Sequence, residues 1–341
     1  MEHHESPAPP VRQVEGRQVQ PADTAAVREA TAILHAGGIV AVPTETVYGL
    51  AGRATDPAAV AAIYAAKGRP SHNPLIVHVA SFAAAEKLAI FDAPARALAA
   101  AFWPGPLTLV LPLRPDAGLA PAITGGRKTL ALRVPAHPVM QALIAAAGPL
   151  AAPSANRSSH ISPTTAAHVV ASLGAAVPLV LDAGPCSAGL ESTIVQVTDG
   201  VVRLLRPGAI AAERIAAIAG PLSPPATAAA VIAPELIAPE LIAPELIAPG
   251  MMASHYAPRQ PVRLGALHAA PHEFHIGFGS VAGDLTLSPA GSLAEAAAGL
   301  FAALHHAEAS NRSVIAVAPF PEDGLGAAIN DRLRRAAADR S

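Results

Sequence analysis

Four short polar stretches interrupt an apolar, alanine-rich chain, and their residue types are those that hold anions. They are Pro43-Thr44-Glu45-Thr46-Val47-Tyr48-Gly49-Leu50, then Lys67-Gly68-Arg69-Pro70 with Asn73-Pro74-Leu75, then Pro153-Ser154-Ala155-Asn156, and Glu191-Ser192-Thr193. Only 14% of the chain is charged, so polar groups gathered at the ends of strand-like runs are candidates for a nucleotide site. Lys67 and Arg69 could reach one anionic group together, the arginine as a fork and the lysine as a point charge. The same pair would equally offset the dipole at the end of a helix. Thr44 and Thr46 could orient a zwitterion or a phosphate, or cap their own turn. Thr129 and Arg133 lie four apart on a strand and so share a face, which could set a hydroxyl and a guanidinium beside a carboxylate. Ser154 and Asn156 could bind phosphate without adding charge, or simply form a turn. His78, taken alone, reads as a strand histidine with its hydrogen bonds met.

Two glycine-rich stretches carry less. Gly125-Gly126-Arg127-Lys128-Thr129 has an arginine where a phosphate-binding loop needs glycine before the lysine, and Gly277-Phe278-Gly279-Ser280-Val281-Ala282-Gly283 misplaces the third glycine of a dinucleotide fingerprint.

The elements that must position these groups follow from periodicity and punctuation. A helix is expected over residues 24–35, stopped by Gly37-Gly38, then a strand over 39–42 that ends at Pro43. Asp56-Pro57 is an N-cap followed by proline at the first helical position, so residues 58–66 form a helix that delivers Lys67. Strand-like runs recur at 75–79, 107–113, 129–134, 150–152, 179–181, 194–197 and 201–205. Helices fall between several of them, at 83–90, 94–102, 139–147 and 165–173. This alternation gives an α/β class with a mixed sheet, since some connections are too short for a crossover.

Composition changes after Gly208. Three identical copies of Ile-Ala-Pro-Glu-Leu, from Ile232 to Leu246, place a proline every five residues. That excludes a continuous helix and matches no solenoid, so an extended, semi-rigid linker is expected. Beyond it a smaller α/β unit resumes, with strands at 274–278 and 314–318 and helices at 292–307 and 324–338. The expected organisation is a disordered tail over 1–20, a catalytic unit over 21–220, the linker over 221–258 and a small Rossmann-like C-terminal unit over 259–341.

The chain has 341 residues and a net charge of −2, and its single cysteine, Cys186, excludes an internal disulfide and a cysteine zinc site. It reads as a packed small residue. No uninterrupted apolar run reaches the roughly 18 residues of a membrane span, and the N-terminus has no apolar leader core, so a cytoplasmic protein without membrane contact is expected. Residues 24–210 hold 13 Lys or Arg against 9 Asp or Glu, a mild excess that suits a small anion and only weakly suggests RNA.

With Trp103-Pro104-Gly105-Pro106-Leu107-Thr108, Arg133-Val134-Pro135 and Leu205-Arg206-Pro207-Gly208 added, these motifs together resemble the YrdC-like threonylcarbamoyl-AMP synthase family over residues 24–215. His255-Tyr256-Ala257-Pro258, Gly324-Leu325-Gly326-Ala327-Ala328-Ile329 and Asn330-Asp331-Arg332-Leu333 are similar to its long, two-domain form. The resemblance implies a YrdC-like twisted mixed sheet with flanking helices. It implies a nucleotidyltransferase that joins L-threonine, bicarbonate or CO₂, and ATP into threonylcarbamoyl-AMP and pyrophosphate for tRNA modification, with Mg²⁺ on the nucleotide. Thr46, His78, Arg133, Ala152 and Ser192 would hold threonine. Lys67, Arg69, Asn73, Thr129, Ser154, Asn156, Ser162, Arg206 and Tyr256 would serve ATP, with Lys67 and Arg69 the catalytic cations. The product would pass to a threonylcarbamoyl transferase complex, and a contact with tRNA is also expected; metal-binding residues are not assigned. The alternative reading is a double-stranded RNA or tRNA-binding module without catalysis.

Overall fold

A computed structural model describes residues 19–223 and 255–338. The repeat linker and most of the expected N-terminal tail lie outside them. The larger unit is built on ten strands in the spatial order β1-β8-β2-β3-β7-β4-β6-β5-β9-β10. These are β1 (Val19–Pro21), β2 (Val40–Val42), β3 (Gly49–Arg53), β4 (Ile76–His78), β5 (Leu107–Pro112), β6 (Thr129–Arg133), β7 (Leu150–Ala151), β8 (Val180–Asp182), β9 (Thr193–Thr198) and β10 (Val201–Arg206). The sheet is mixed as expected: β4 pairs with β6 in parallel, while β5 and β6 are antiparallel.

Among the described residues seven α-helices flank the sheet: α1 (Thr24–His35), α2 (Pro57–Lys67), α3 (Phe82–Glu86), α4 (Ala93–Phe102), α5 (Pro138–Ala147), α6 (Ala166–Leu173) and α7 (Ala212–Ala219). Their starts are written locally. Asp23, Asp56 and Asp92 each accept N–H groups of the following turn, and proline stands in the first turn of α2 and α4. α2 ends at Gly68, whose φ of 58° closes a left-handed cap in which the N–H of Arg69 donates to the carbonyl of Tyr64. That cap turns the chain so that Lys67 and Arg69 both come to lie in the protein interior.

Alternation along β4 and β6 decides which residues face which side. Val77, Leu130 and Leu132 enter the main core with Leu50, Leu98 and Leu109. Ile76 and Ala131 face the other way, in a small cluster with Val110, Ile194 and Leu205, and His78 and Arg133 continue that second face. The smaller unit holds four parallel strands in the order β11-β14-β12-β13: β11 (Val262–Arg263), β12 (Glu273–Gly277), β13 (Leu285–Thr286) and β14 (Val314–Val317). Its helices α8 (Leu293–Ala309) and α9 (Gly324–Ala337) pack against these strands, and its core takes in Val47, Ile161 and Leu190 from the larger unit. The two units therefore share an apolar seam next to the second face of the large sheet.

Three expectations change. Residues 19 and 20 belong to β1, which pairs with β8, so the expected tail does not reach residue 20. Gly49 and Leu50, the end of the polar stretch 43–50, open an unexpected strand, Gly49–Arg53, and the helix expected over 83–90 is only Phe82–Glu86.

Candidate functional site

Backbone register brings the polar stretches together. His78 and Arg133 are direct partners on the parallel pair β4 and β6, so their side chains stand next to each other on the second face. β7 leads into Pro153-Ser154, where an isolated bridge joins Ser154 to Gly49. Arg206, at the end of β10, donates from Nη2 to the carbonyl of Ser192 at 2.9 Å and to its hydroxyl at 3.3 Å. The following Gly208 permits this approach, because a Cβ there would lie 2.5 Å from the carbonyl oxygen of Glu191 and the nitrogen of Thr193. The loops after β2, α2 and β7 and the one before β9 thus meet the strand residues His78, Arg133 and Arg206, with His255 and Tyr256 beside them.

The result is a small cavity with about 50 Å³ of free space. Of the residues expected in the site, Thr46, Arg69, His78, Arg133, Ala152, Ser154, Ser192, Arg206 and Tyr256 line it. Lys67, Asn73, Asn156 and Ser162 are buried one layer behind. Lys67 Nζ donates to the carbonyls of Ser154 and Asn156, which ties α2 to the loop after β7. Asn73 Oδ1 accepts from Arg69 Nη2 at 2.6 Å, and Ser162 Oγ donates to Glu191 Oε1. Thr129 is outside the cavity: it shares the face of Arg133, but four residues of strand separate them by about 13 Å.

Arg133 is held at three points. Its Nε donates to the carbonyl of Gly105 at 3.1 Å, Nη1 to the Thr46 hydroxyl at 2.9 Å, and Nη2 lies 2.7 Å from Glu45 Oε1. Thr46 is in turn bonded to Thr44, whose hydroxyl also accepts the N–H of Val47 at 3.2 Å. Burial alone would raise the Glu45 carboxyl, but the charge and hydrogen bond of Arg133 hold it below its ordinary value. Burial and then Arg133 push His78 down to about 3, so it stays a neutral imidazole, with Nδ1 accepting no hydrogen bond from the described residues.

The electrostatics of the cavity favour an anion. Three guanidiniums, Arg69, Arg133 and Arg206, line it with one carboxylate, Glu191. Burial lowers Arg69 to about 10, still cationic at neutral pH. Burial and the nearby Arg69 carry the Lys67 ammonium well below its ordinary value. Glu191 is neutralised from outside its own unit: Arg332 of α9, fully buried, donates from Nε to Glu191 Oε2 at 2.8 Å. Arg332 also lies over the Tyr256 ring, 5.3 Å from its centre. Cys186 is buried and its thiol is pushed up to about 12 by burial, which fits a packed residue and no nucleophile.

Arg332, Glu191 and His255 are the site groups that residue-by-residue reading did not assign. The signal for all three was their place in the quoted motifs, while their mutual contact depends on packing between the units. Among the described residues no group of three or more His, Cys, Asp or Glu side chains is arranged to hold a metal. No described helix is long and apolar enough to cross a membrane.

Comparison with known proteins agrees over nearly the whole chain. Residues 32–208 match the family model described as Telomere recombination, and residues 210–338 match that described as Threonylcarbamoyl-AMP synthase, C-terminal domain. A curated threonylcarbamoyl-AMP synthase from Bacillus subtilis is 40% identical over 336 residues, covering 92% of this chain and 93% of the relative. One from Pyrococcus abyssi is 38% identical over 334 residues, covering 92% and 94%. The crystal structure of P. abyssi Sua5 complexed with L-threonine is similar with a TM-score of 0.80 at 36% identity, over 91% of this chain and 94% of that one.

Proposed function

The chain belongs to the threonylcarbamoyl-AMP synthase family in its two-domain form, and from that premise we propose that its cavity joins L-threonine, bicarbonate or CO₂, and ATP into threonylcarbamoyl-adenylate and pyrophosphate. The observation that carries this reading is the convergence of Arg69, Arg133 and Arg206 on one buried cavity, where the lining carboxylate Glu191 is paired with Arg332 and Glu45, behind the wall, is paired with Arg133. Such a site favours anionic ligands.

Arg133 is the receptor for the threonine carboxylate, preset by Thr46 and by the Gly105 carbonyl. His78, neutral and next to it, offers a hydrogen-bond acceptor without adding a charge. Arg69 and Arg206, with Lys67 behind them, take the phosphates. The threonine nitrogen bonds to the carbon of CO₂ and loses a proton. A carbamate oxygen then attacks the α-phosphorus as the bond to the β-phosphate oxygen breaks, and pyrophosphate leaves with its electron pair. The sequence needs no covalent enzyme intermediate, so the chain contributes positioning and charge stabilisation.

Mg²⁺ is proposed to enter on the nucleotide. It needs few protein ligands when phosphate oxygens and water fill its shell, and Glu191 is the one carboxylate in the cavity wall. When bound, the ion neutralises phosphate charge. Cytoplasmic work on behalf of tRNA modification, with the adenylate consumed by a separate transferase complex and a possible tRNA contact, belongs to the same proposal.

The cavity's 50 Å³ is far below the roughly 300–1,000 Å³ of ligand pockets. Tyr256 and His255 are buried in its lining, and movement of that segment is the proposed route of nucleotide entry. Calorimetric binding tests the assignment of the two subsites. Arg133→Ala should lose threonine binding and keep ATP binding, and Arg206→Ala should do the reverse; loss of neither ligand would remove both residues from the site.

A further inference from the structure

A second space, of about 750 Å³, opens between the two units. The loop after Asn156 and α6 form one wall, and α8 with the segment after Tyr256 forms the other. Its polar lining is mostly guanidinium and imidazole, with Ser172 and Glu308: Arg157, His160 and His168 face Arg259, His305 and His306. Four of the chain's 14 histidines meet here, which is far from an even scatter. The one carboxylate in the lining, Glu308, is already engaged, accepting the N–H of Arg259 at 2.8 Å and lying 3.7 Å from its guanidinium. Arg157 makes no ion pair with any described residue.

The lining does not form a metal site, since no described histidine and carboxylate group has that arrangement. It has the chemistry of an anion site. Guanidiniums on opposite walls can each fork two oxygens. About 750 Å³ is ample room for a short chain of phosphates between the two guanidiniums.

Hydrogen bonds connect the cleft to the first cavity. The N–H of Ala257 donates to the carbonyl of Ser159 at 3.0 Å, so the segment that carries Tyr256 is pinned to the loop that carries Arg157. His305 stacks on His168 with ring centres 3.9 Å apart, and its Nε2 lies 3.1 Å from the carbonyl of Ser162. A carbonyl only accepts, so His305 is the donor there. Ser162 in turn donates to Glu191 in the first cavity. Arg157, His160, Ile161 and Arg259 line the cleft, His255 and Tyr256 line the first cavity, and these hydrogen bonds connect the two sets.

We propose that the interdomain cleft is a second anion site, for an oligophosphate such as inorganic pyrophosphate, and that its occupancy acts on the loop and segment that close the first cavity. The cleft's chemistry is independent of the proposed reaction, which would only add a source of pyrophosphate. A nucleotide's triphosphate tail is the other source of the same chemistry.

The test is isothermal titration of the full chain with pyrophosphate, and separately with ATP, without threonine or bicarbonate. The wild type is compared with Arg157→Ala/Arg259→Ala, both of whose side chains are exposed and neither of which touches the first cavity. The expected result is a loss of pyrophosphate affinity of roughly tenfold or more with an unchanged melting temperature. If nucleotide is the source, the wild type takes up two ATP per chain and the variant one; if free oligophosphate is, ATP binds once in both. Equal pyrophosphate affinity in wild type and variant overturns the proposal.

Discussion

Arg332 Nε lies 2.8 Å from Glu191 Oε2, and this contact joins the last helix of the smaller unit to the wall of the cavity in the larger one. Both side chains are buried. Arg332 also donates to the carbonyl of Pro207, in the turn that sets Arg206. One guanidinium thus fixes two walls of the cavity, and the C-terminal unit becomes part of the site.

Arg332→Met strands the Glu191 carboxylate in a buried place, at a cost of about 3–5 kcal/mol. The double variant Glu191→Gln/Arg332→Met should recover part of that stability. Urea unfolding of the two single variants and the double one measures the coupling; additive losses would mean that the pair is not coupled.

The ring of Tyr256 is buried, and its hydroxyl makes no hydrogen bond with the described residues. Tyr256→Phe should therefore keep the melting temperature, while Tyr256→Ala loses about 3–5 kcal/mol by leaving a cavity. If the hydroxyl is there for a ligand, the Phe variant binds ATP several-fold more weakly. Unchanged ATP affinity in Tyr256→Phe would confine the residue to packing.

Lys67 bridges the carbonyls of Ser154 and Asn156. Lys67→Ala should leave the far-UV circular dichroism unchanged and cut adenylate formation by roughly a hundredfold or more. Wild-type turnover in this variant would separate the loop tie from the chemistry.

Much of this was legible in the sequence, for reasons that differ by element. Asp-capped helices and the run from Thr129 to Arg133 announce themselves locally, and the polar stretches named most of the cavity wall. Strand Gly49–Arg53 was missed because glycine and alanine give it no β-branched signature. Val19–Pro21 is a strand only because it lies beside Val180–Asp182, far away in sequence. Thr129 was placed on the correct face, but the face says nothing of position along it. Arg332 reaches Glu191 across 141 residues, a contact that only packing between the units creates.

Burial and then His305 lower His168 to about 4 from an ordinary 6.5. Between those values the unfolded chain binds a proton that the folded one refuses, so stability falls as pH drops through this window. His78 and His255, both lowered to about 3 by burial, act with the same sign. The carboxylates Glu45 and Glu191 join only below their ordinary 4.5. His168→Phe keeps a ring against His305 and should reduce the slope of stability against pH between 6.5 and 4.5 by up to about one proton. Denaturant midpoints across that range decide it, and an unchanged slope would mean that His168 titrates normally.

The central claim is the reaction itself. Purified protein is given ATP, Mg²⁺, ¹³C-bicarbonate and L-threonine, with each omitted in turn; pyrophosphate release is followed and the adenylate is weighed by mass spectrometry. The account predicts release only when threonine, bicarbonate and ATP are all present, with the label retained in a threonylcarbamoyl-adenylate. Release without threonine, or a folded protein that makes no labelled adenylate, would contradict it.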